Sequence, residues 1–281
     1  ANTDRDSYYG PGNDPLKAYG KTTDLTAMGG AQYVHTFDKC FFMPSDLTAG
    51  LEYNRDRLKD NMWGYNRHTD QTVNIYSAFL QNEWKNDRWG ILIGGRLDKH
   101  NMVDNVIFSP RANLRFNPTQ NINLRLSYSS GFRAPQAFDE DMHIENVGGT
   151  VAMIERAKDL KEEKSQSFSA SADMYHRFGA FQTNLLIEGF YTRLTDVFVL
   201  GEPYDRGDGI LVKTRSNGPG AKVMGLTLEG KVAYLSILQI QAGLTLQRSR
   251  YDEPHKWHDD APAEKKIFRT PDTYGYFTAT Y

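Results

Sequence analysis

Residues 122–141 read Ile-Asn-Leu-Arg-Leu-Ser-Tyr-Ser-Ser-Gly-Phe-Arg-Ala-Pro-Gln-Ala-Phe-Asp-Glu-Asp, a two-faced strand running into a loop punctuated by Gly and Pro and closed by acids. Side chains alternate across an extended chain. Ile122, Leu124, Leu126 and Tyr128 therefore share one face, and Asn123, Arg125, Ser127 and Ser129 the other. One face calls for apolar surroundings and the other for water.

The same alternation recurs along the chain. Pro110, Ala112, Leu114 and Phe116 oppose Arg111, Asn113, Arg115 and Asn117. Met224, Leu226, Leu228, Val232 and Tyr234 oppose Thr227, Glu229 and Lys231, and Leu238, Ile240, Ala242, Leu244 and Leu246 oppose Gln239, Gln241, Thr245 and Gln247. Strands are expected near 25–37, 46–58, 72–84, 88–98, 109–117, 122–130, 167–177, 181–193, 222–234, 237–250 and 273–281. Residues 1–24 read as a loop entering the first strand. Only 151–164 carries weak helical spacing, enough for a turn or two.

Composition narrows the class. The 281 residues include no run of 18 apolar residues, and the mean hydropathy is −0.61, which excludes a helical membrane span. A barrel span stays open, because it needs apolar residues only at alternate positions of segments about ten residues long. Sixteen Tyr, 15 Phe and 4 Trp suit the aromatic girdles of such a barrel. A net charge of −2 with dispersed Lys and Arg gives no basic stripe for nucleic acid. The one cysteine, Cys40, has no disulfide partner and reads as a half-buried apolar residue beside Phe41 and Phe42.

Connection lengths separate a barrel from a sandwich. Turns at 85–87, 118–121, 178–180 and 235–236 are tight, whereas the loops at 99–108, 131–166, 194–221 and 251–272 are long, and the two kinds alternate strictly. In an up-and-down sheet every second connection lies at the same end. All long loops then gather at one end, the asymmetry of outer-membrane barrels. The fold expected is all-β: an antiparallel up-and-down transmembrane β-barrel, present as a partial barrel of about eleven strands with long extracellular-type loops at one end.

Several motifs support this. Phe108-Ser109-Pro110-Arg111, the strand ending in Gly131-Phe132-Arg133-Ala134-Pro135, the stretch Leu160–Ser165, and Asn217 through Ala221 to Gly225 and Glu229 together resemble the barrel of TonB-dependent outer-membrane receptors. The likeness is to the Bacteroidetes-like siderophore, haem or cobalamin receptor type. One motif departs from the family, reading Ala157-Lys158-Asp159-Leu160-Lys161-Glu162-Glu163-Lys164-Ser165. The resemblance implies a larger parent barrel filled by an N-terminal plug domain, contacts with outer-membrane lipid, coupling to the TonB complex through a missing N-terminal region, and location in the outer membrane of a Gram-negative bacterium. On this reading residues 1–281 are a fragment without the plug.

No catalytic constellation is legible, so no enzyme, resident metal or cofactor is expected. The sharpest ligand candidates are Asp139, Glu140, Asp141 and His143, oxygen donors with one imidazole on a long loop; a solvated acidic loop is the plainer account. Haem receptors of the resembled family carry a histidine between the two motifs, as His143 stands here. His255, Trp257 and His258 form a second candidate, read otherwise as a mobile loop. Tyr204 is a third, with Gly201, Gly207 and Gly209 near it. Gly131, Phe132, Arg133, Ala134 and Pro135 read as a structural corner, where a held arginine pairs with loop or plug carboxylates.

The function expected is energy-coupled uptake of a scarce nutrient: a ferric siderophore, haem, cobalamin or glycan. A passive porin or structural barrel is the second reading, separated from the first by a plug and TonB-contacting segment. A soluble β-rich binding protein is the third, separated by stability without detergent.

Overall fold

The structure is a computed structural model, and it describes residues 1–8, 19–137, 145–147, 150–207, 210–235, 237–256, 262–268 and 270–281. In chain order the strands are β1 (Asn2–Tyr8), β2 (Tyr19–Cys40), β3 (Met43–Met62), β4 (Arg67–Lys85), β5 (Trp89–His100), β6 (Ile107–Thr119), β7 (Ile122–Arg133), β8 (Glu145–Val147), β9 (Thr150–Arg156), β10 (Glu163–Phe178), β11 (Phe181–Thr195), β12 (Phe198–Leu200), β13 (Tyr204–Asp205), β14 (Leu211–Asn217), β15 (Ala221–Tyr234), β16 (Leu238–His255), β17 (Glu264–Lys266) and β18 (Thr273–Thr280).

Thirteen of these form one antiparallel meander, β1 through β7, then β10, β11, β15 and β16, with β17 and β18 both pairing to β16. Its edges do not meet: among the described residues β1 pairs only with β2, and β18 only with β16. Each of the eleven strands anticipated from alternation is present. Directly paired residues share a face, and the register keeps apolar with apolar: Leu126 opposes Ala170, Ala170 opposes Gly189, Gly189 opposes Leu226, and Leu226 opposes Leu246.

That apolar face carries much of the exposed hydrophobic surface, including Leu51, Leu80, Ile93, Leu126, Phe168 and Leu244. Fully buried hydrophobic residues are few. Among the described residues the one buried cluster is Val103, Ile107 and Ala134 with Phe132 packed beside it. A soluble sandwich would bury one face of each sheet against the other; here a single wall turns a continuous apolar face outward, which hydrocarbon satisfies and water does not.

Aromatic stacking marks the tight-turn end. Phe42 stacks on Trp84 at 5.7 Å, Trp89 on Phe116 at 4.2 Å, and Phe178 on Phe181 at 5.4 Å. Trp84 Nε1 donates to the Cys40 carbonyl at 3.0 Å, so this ring presents an apolar body and a satisfied polar tip at the wall's rim. The opposite face is polar: Arg96 pairs with Glu52 and Asp98, and Ser77 Oγ donates to Asp98 Oδ1 at 2.6 Å. Strands of 22, 20 and 19 residues in β2, β3 and β4 far exceed the ~10 residues a barrel strand needs to cross. Their surplus length lies at the long-loop end, where β3 and β4 stay paired beyond the last β4–β5 pair.

Two expectations are corrected. Residues 1–24 are not one loop, since β1 pairs Asn2–Tyr8 with Tyr19–Leu25 of β2. Residues 150–156 are strand β9 and not helix. Their apolar run Val151-Ala152-Met153-Ile154 suits either state by itself, and parallel pairing with β14 decides it. β9 and β14 are the centre of a second sheet, completed by β8, β12 and β13, that joins the two long loops. Met153 and Val212 are buried within it at 1% and 0% exposure.

Candidate functional site

At the long-loop end, the Gly131–Pro135 corner is where the strand wall meets the second sheet. Ala134 is buried with Val103 and Ile107. Arg156 of β9 donates from Nη1 to the Pro135 carbonyl at 2.8 Å. The Arg133 guanidinium lies over the Phe198 ring of β12, 5.6 Å from its centroid. Glu163, opposite Arg133 in the β7–β10 register, accepts the Phe198 N–H at 2.9 Å. The corner thus holds one element from each long loop.

Strand β4 fixes the continuation. Ala137 N–H donates to Gln71 Oε1 at 2.9 Å and Gln71 Nε2 donates back to the Ala137 carbonyl at 3.4 Å. Fully buried His100 fixes it from β5: its Nδ1 accepts the Met102 N–H at 3.1 Å, so the neutral ring carries its proton on Nε2 and donates it to Gln136 Oε1 at 3.2 Å.

Beside this corner lies a cavity of about 570 Å³, lined by residues 66–69 at the start of β4, Met102, Pro135, Ala137, residues 153–158, Leu160 and Arg206. Four of its side chains are cations: Arg67, Arg156, Lys158 and Arg206. Two carboxylates among the described residues pair with them. Arg67 pairs with buried Asp60 at 2.7 Å, and Arg206 reaches Glu155 at 3.8 Å. Arg156 donates to the neutral Pro135 carbonyl. His68 adds an imidazole whose Nδ1 lies 2.9 Å from Asn61 Oδ1. The cavity favours an anion with hydrogen-bond acceptors. Among the described residues no three His, Cys, Asp or Glu side chains converge as a metal site.

The residues singled out in the sequence fall elsewhere. Asp139, Glu140, Asp141, His143, Trp257 and His258 lie outside the described residues. Tyr204 is exposed on β13 opposite Val212. His255 ends β16 opposite Glu264, its ring 5.8 Å from that of Tyr251. Neither lines the cavity. Arg67, Arg156, Lys158 and Arg206 were not picked out as a site because they come from three separate stretches of the chain; the second sheet brings them together.

The wall, its one-sided loops and this cavity can be set beside known proteins. The family described as TonB dependent receptor-like β-barrel matches residues 1–281. The chain belongs to that family. Solved receptor and transporter structures share its fold: the siderophore receptor PirA from Pseudomonas aeruginosa has a TM-score of 0.67 at 17% identity, covering 83% of this chain and 44% of that one. The FrpB iron transporter from Neisseria meningitidis gives 0.64 at 15%, covering 95% and 41%. The ferric enterobactin receptor PfeA gives 0.64 at 18%, covering 99% and 50%. The chain thus spans half or less of each of these solved receptors. No curated protein sequence matches it.

The family motifs now have physical content. Asn217, at the end of β14, bonds the main chain of both long loops. Ala221 is fully buried. A Cβ on Gly225 would stand 2.6 Å from the Leu246 carbonyl oxygen and 2.6 Å from Phe190 Cζ, so only glycine lets β15 and β16 meet there.

Proposed function

We propose that this chain is part of an outer-membrane receptor of a Gram-negative bacterium that captures an anionic metal chelate, of the ferric siderophore class, and imports it with TonB-derived energy. The plug domain, the TonB complex and outer-membrane lipid are its partners on this reading, and no catalysis is involved. The observation that carries the ligand class is the cation-rich cavity under the loop sheet, with Arg67, Arg156, Lys158 and Arg206 around one space. A neutral or cationic cargo gains little from that lining, whereas the carboxylate or catecholate oxygens of an anionic iron chelate pair with it. Neutral cobalamin is therefore disfavoured, and haem has support only from its propionates.

The test is equilibrium binding of ferric catecholate and citrate chelates to the full-length receptor, with a neutral ferric trihydroxamate and cobalamin as controls. The double substitution Lys158→Gln and Arg206→Gln is expected to weaken the bound chelate by roughly 10–100-fold, the loss of one or two charge-assisted hydrogen bonds. Binding of cobalamin alone, or equal chelate affinity in the variant, would overturn the assignment. Passive flux of small solutes through reconstituted protein would favour the porin reading.

A further inference from the structure

The polar face of the wall carries its charge unevenly. Across β3 and β5 the Arg96, Glu52 and Asp98 side chains neutralise one another, but three arginines on β6 and β7 stand in a field without acids. Alternation puts Arg111, Arg115 and Arg125 on this face, away from Leu114 and Leu126. By register, Arg111 pairs with Gly94 and Ser129, and Arg115 with Gly90 and Arg125. On the β10 side Ser129, Ser127 and Arg125 face Ser167, Ser169 and Ser171. Along these rows acids begin only at Glu83 on β4, opposite Leu92, and at Glu188 on β11, opposite Ser171. Among the described residues none of the three arginines is in an ion pair.

Arg115 and Arg125 form the decisive contact. Like charges directly opposite across an antiparallel ladder, with Cβ atoms ~5 Å apart, repel, and the two side chains splay. Arg115 lies across Gly90, where a Cβ would stand 3.0 Å from its Nε, and its Nη2 donates to the Asn86 carbonyl at 3.0 Å. Arg125 turns along its own strand, its Nε donating to Asn123 Oδ1 at 2.7 Å. Both acceptors are neutral. Asp173, opposite Asn123 and one row nearer the tight turns, is already engaged: it accepts from Asn184 and, at 2.9 Å, from the Tyr175 hydroxyl. Two guanidinium charges thus flank one gap on the wall, with donors to spare.

Position along β7 relates this gap to the loop cavity. Arg133 at the corner, Ser129 beside Arg111, and Arg125 beside Arg115 follow one another on the same face at four-residue steps, ~13 Å each. We propose that Arg111, Arg115 and Arg125 form a second anion station, ~13–26 Å below the corner, which holds an anionic chelate released from the loop cavity on its way to the tight-turn end. The station rests on the proposed function for its cargo and takes the same chemistry, carboxylate or catecholate oxygens that accept from two guanidinium groups at once. The serines between the steps give a neutral lane with no acid to repel that cargo.

Uptake of radioiron-labelled ferric catecholate and ferric citrate by cells carrying the full-length receptor, with equilibrium binding at the cell surface, tests this. Arg115→Gln with Arg125→Gln is expected to lower the maximal uptake rate about tenfold, while surface binding stays at the wild-type level. Arg125→Glu guards against misfolding. It sets a carboxylate opposite Arg115, so the unfolding midpoint should equal or exceed the wild type while uptake falls as in the double variant. Arg125→Lys keeps the charge and should keep most of the uptake. Wild-type uptake rates in the folded Gln or Glu variants would overturn the station and leave the role of the loop cavity standing. So would a loss of uptake joined by a lower unfolding midpoint or by leakage of small solutes, which assigns the arginines to holding the plug. A wild-type receptor that binds neither chelate would overturn the cargo class, and the station with it.

Discussion

The Asn217 carboxamide clasps the main chain of Lys161: Oδ1 accepts the Lys161 N–H at 2.7 Å, and Nδ2 donates to the Lys161 carbonyl at 3.1 Å. Nδ2 also donates to the Asp196 carbonyl at 2.8 Å. One side chain at the end of β14 thereby ties the exit of the 134–162 connection to the start of the 196–220 connection. It acts where the parallel β9–β14 ladder ends at Arg156 and Arg215.

Asn217→Ala removes three hydrogen bonds at a partly exposed site. At about 1 kcal/mol net each, the local loss is roughly 2–3 kcal/mol. Hydrogen exchange should show faster exchange of the Lys161 amide and of β9 and β14, with the meander unchanged. Protection equal to the wild type would mean that the clasp is incidental.

Gly225→Ala tests the close approach of β15 to β16. The new methyl meets a main-chain carbonyl oxygen and an aromatic carbon at 2.6 Å, and the carbonyl belongs to a paired strand that cannot move alone. Destabilisation of about 1–3 kcal/mol is expected, seen as a lower midpoint in thermal or denaturant unfolding of the folded barrel in detergent. An Ala variant as stable as the wild type would show that the sheet relaxes there.

Arg133→Lys keeps the charge at the corner and loses the planar group over Phe198. Stacking of this kind is worth ~0.5–2 kcal/mol, so global stability should change little. The sensitive readout is the loop sheet: exchange at the Phe198 amide, which Glu163 accepts, should rise. Unaltered exchange would leave the corner with a packing role only.

Acid should release β17 and the turn before β18. The hydrogen bond from Lys266 holds the Asp272 carboxyl below the usual Asp range, the charges of Lys266 and Arg250 adding to it against some desolvation. Because the folded-state value is depressed, the contribution is fully present above the unfolded value near ~3.9. It is lost as pH falls through the lower folded value. Exchange protection of β17 should therefore fall only below about pH 4, and Asp272→Asn should flatten that dependence. A loss of protection centred near neutrality would assign the effect to another group.

Alternation and turn spacing made the eleven long strands legible, because each has one face in apolar surroundings and cannot slip by one residue without inverting it. Leu238–Leu246 shows this directly, with every apolar residue paired to an apolar or glycine position on β15. The loop sheet was not legible. β12 and β13 are three and two residues long, too short for a period to declare itself, and β9 takes its state from β14 across the fold. Asp4 and Arg5 gave β1 no apolar alternation, and pairing with β2 alone makes it a strand. Site residues failed for the same reason: Arg156 and Arg206 become neighbours of one cavity only after the two connections have joined.

Parallel pairing of β9 with β14 also sets a sequence of events. Each hairpin of the meander can close as soon as its second strand is made, but Ala152 finds its partner only when Leu211 arrives, after β10 and β11 have been laid down between them. Contacts so distant along the chain form slowly. The loop sheet therefore closes after the β10–β11 hairpin that lies between its two central strands in the chain.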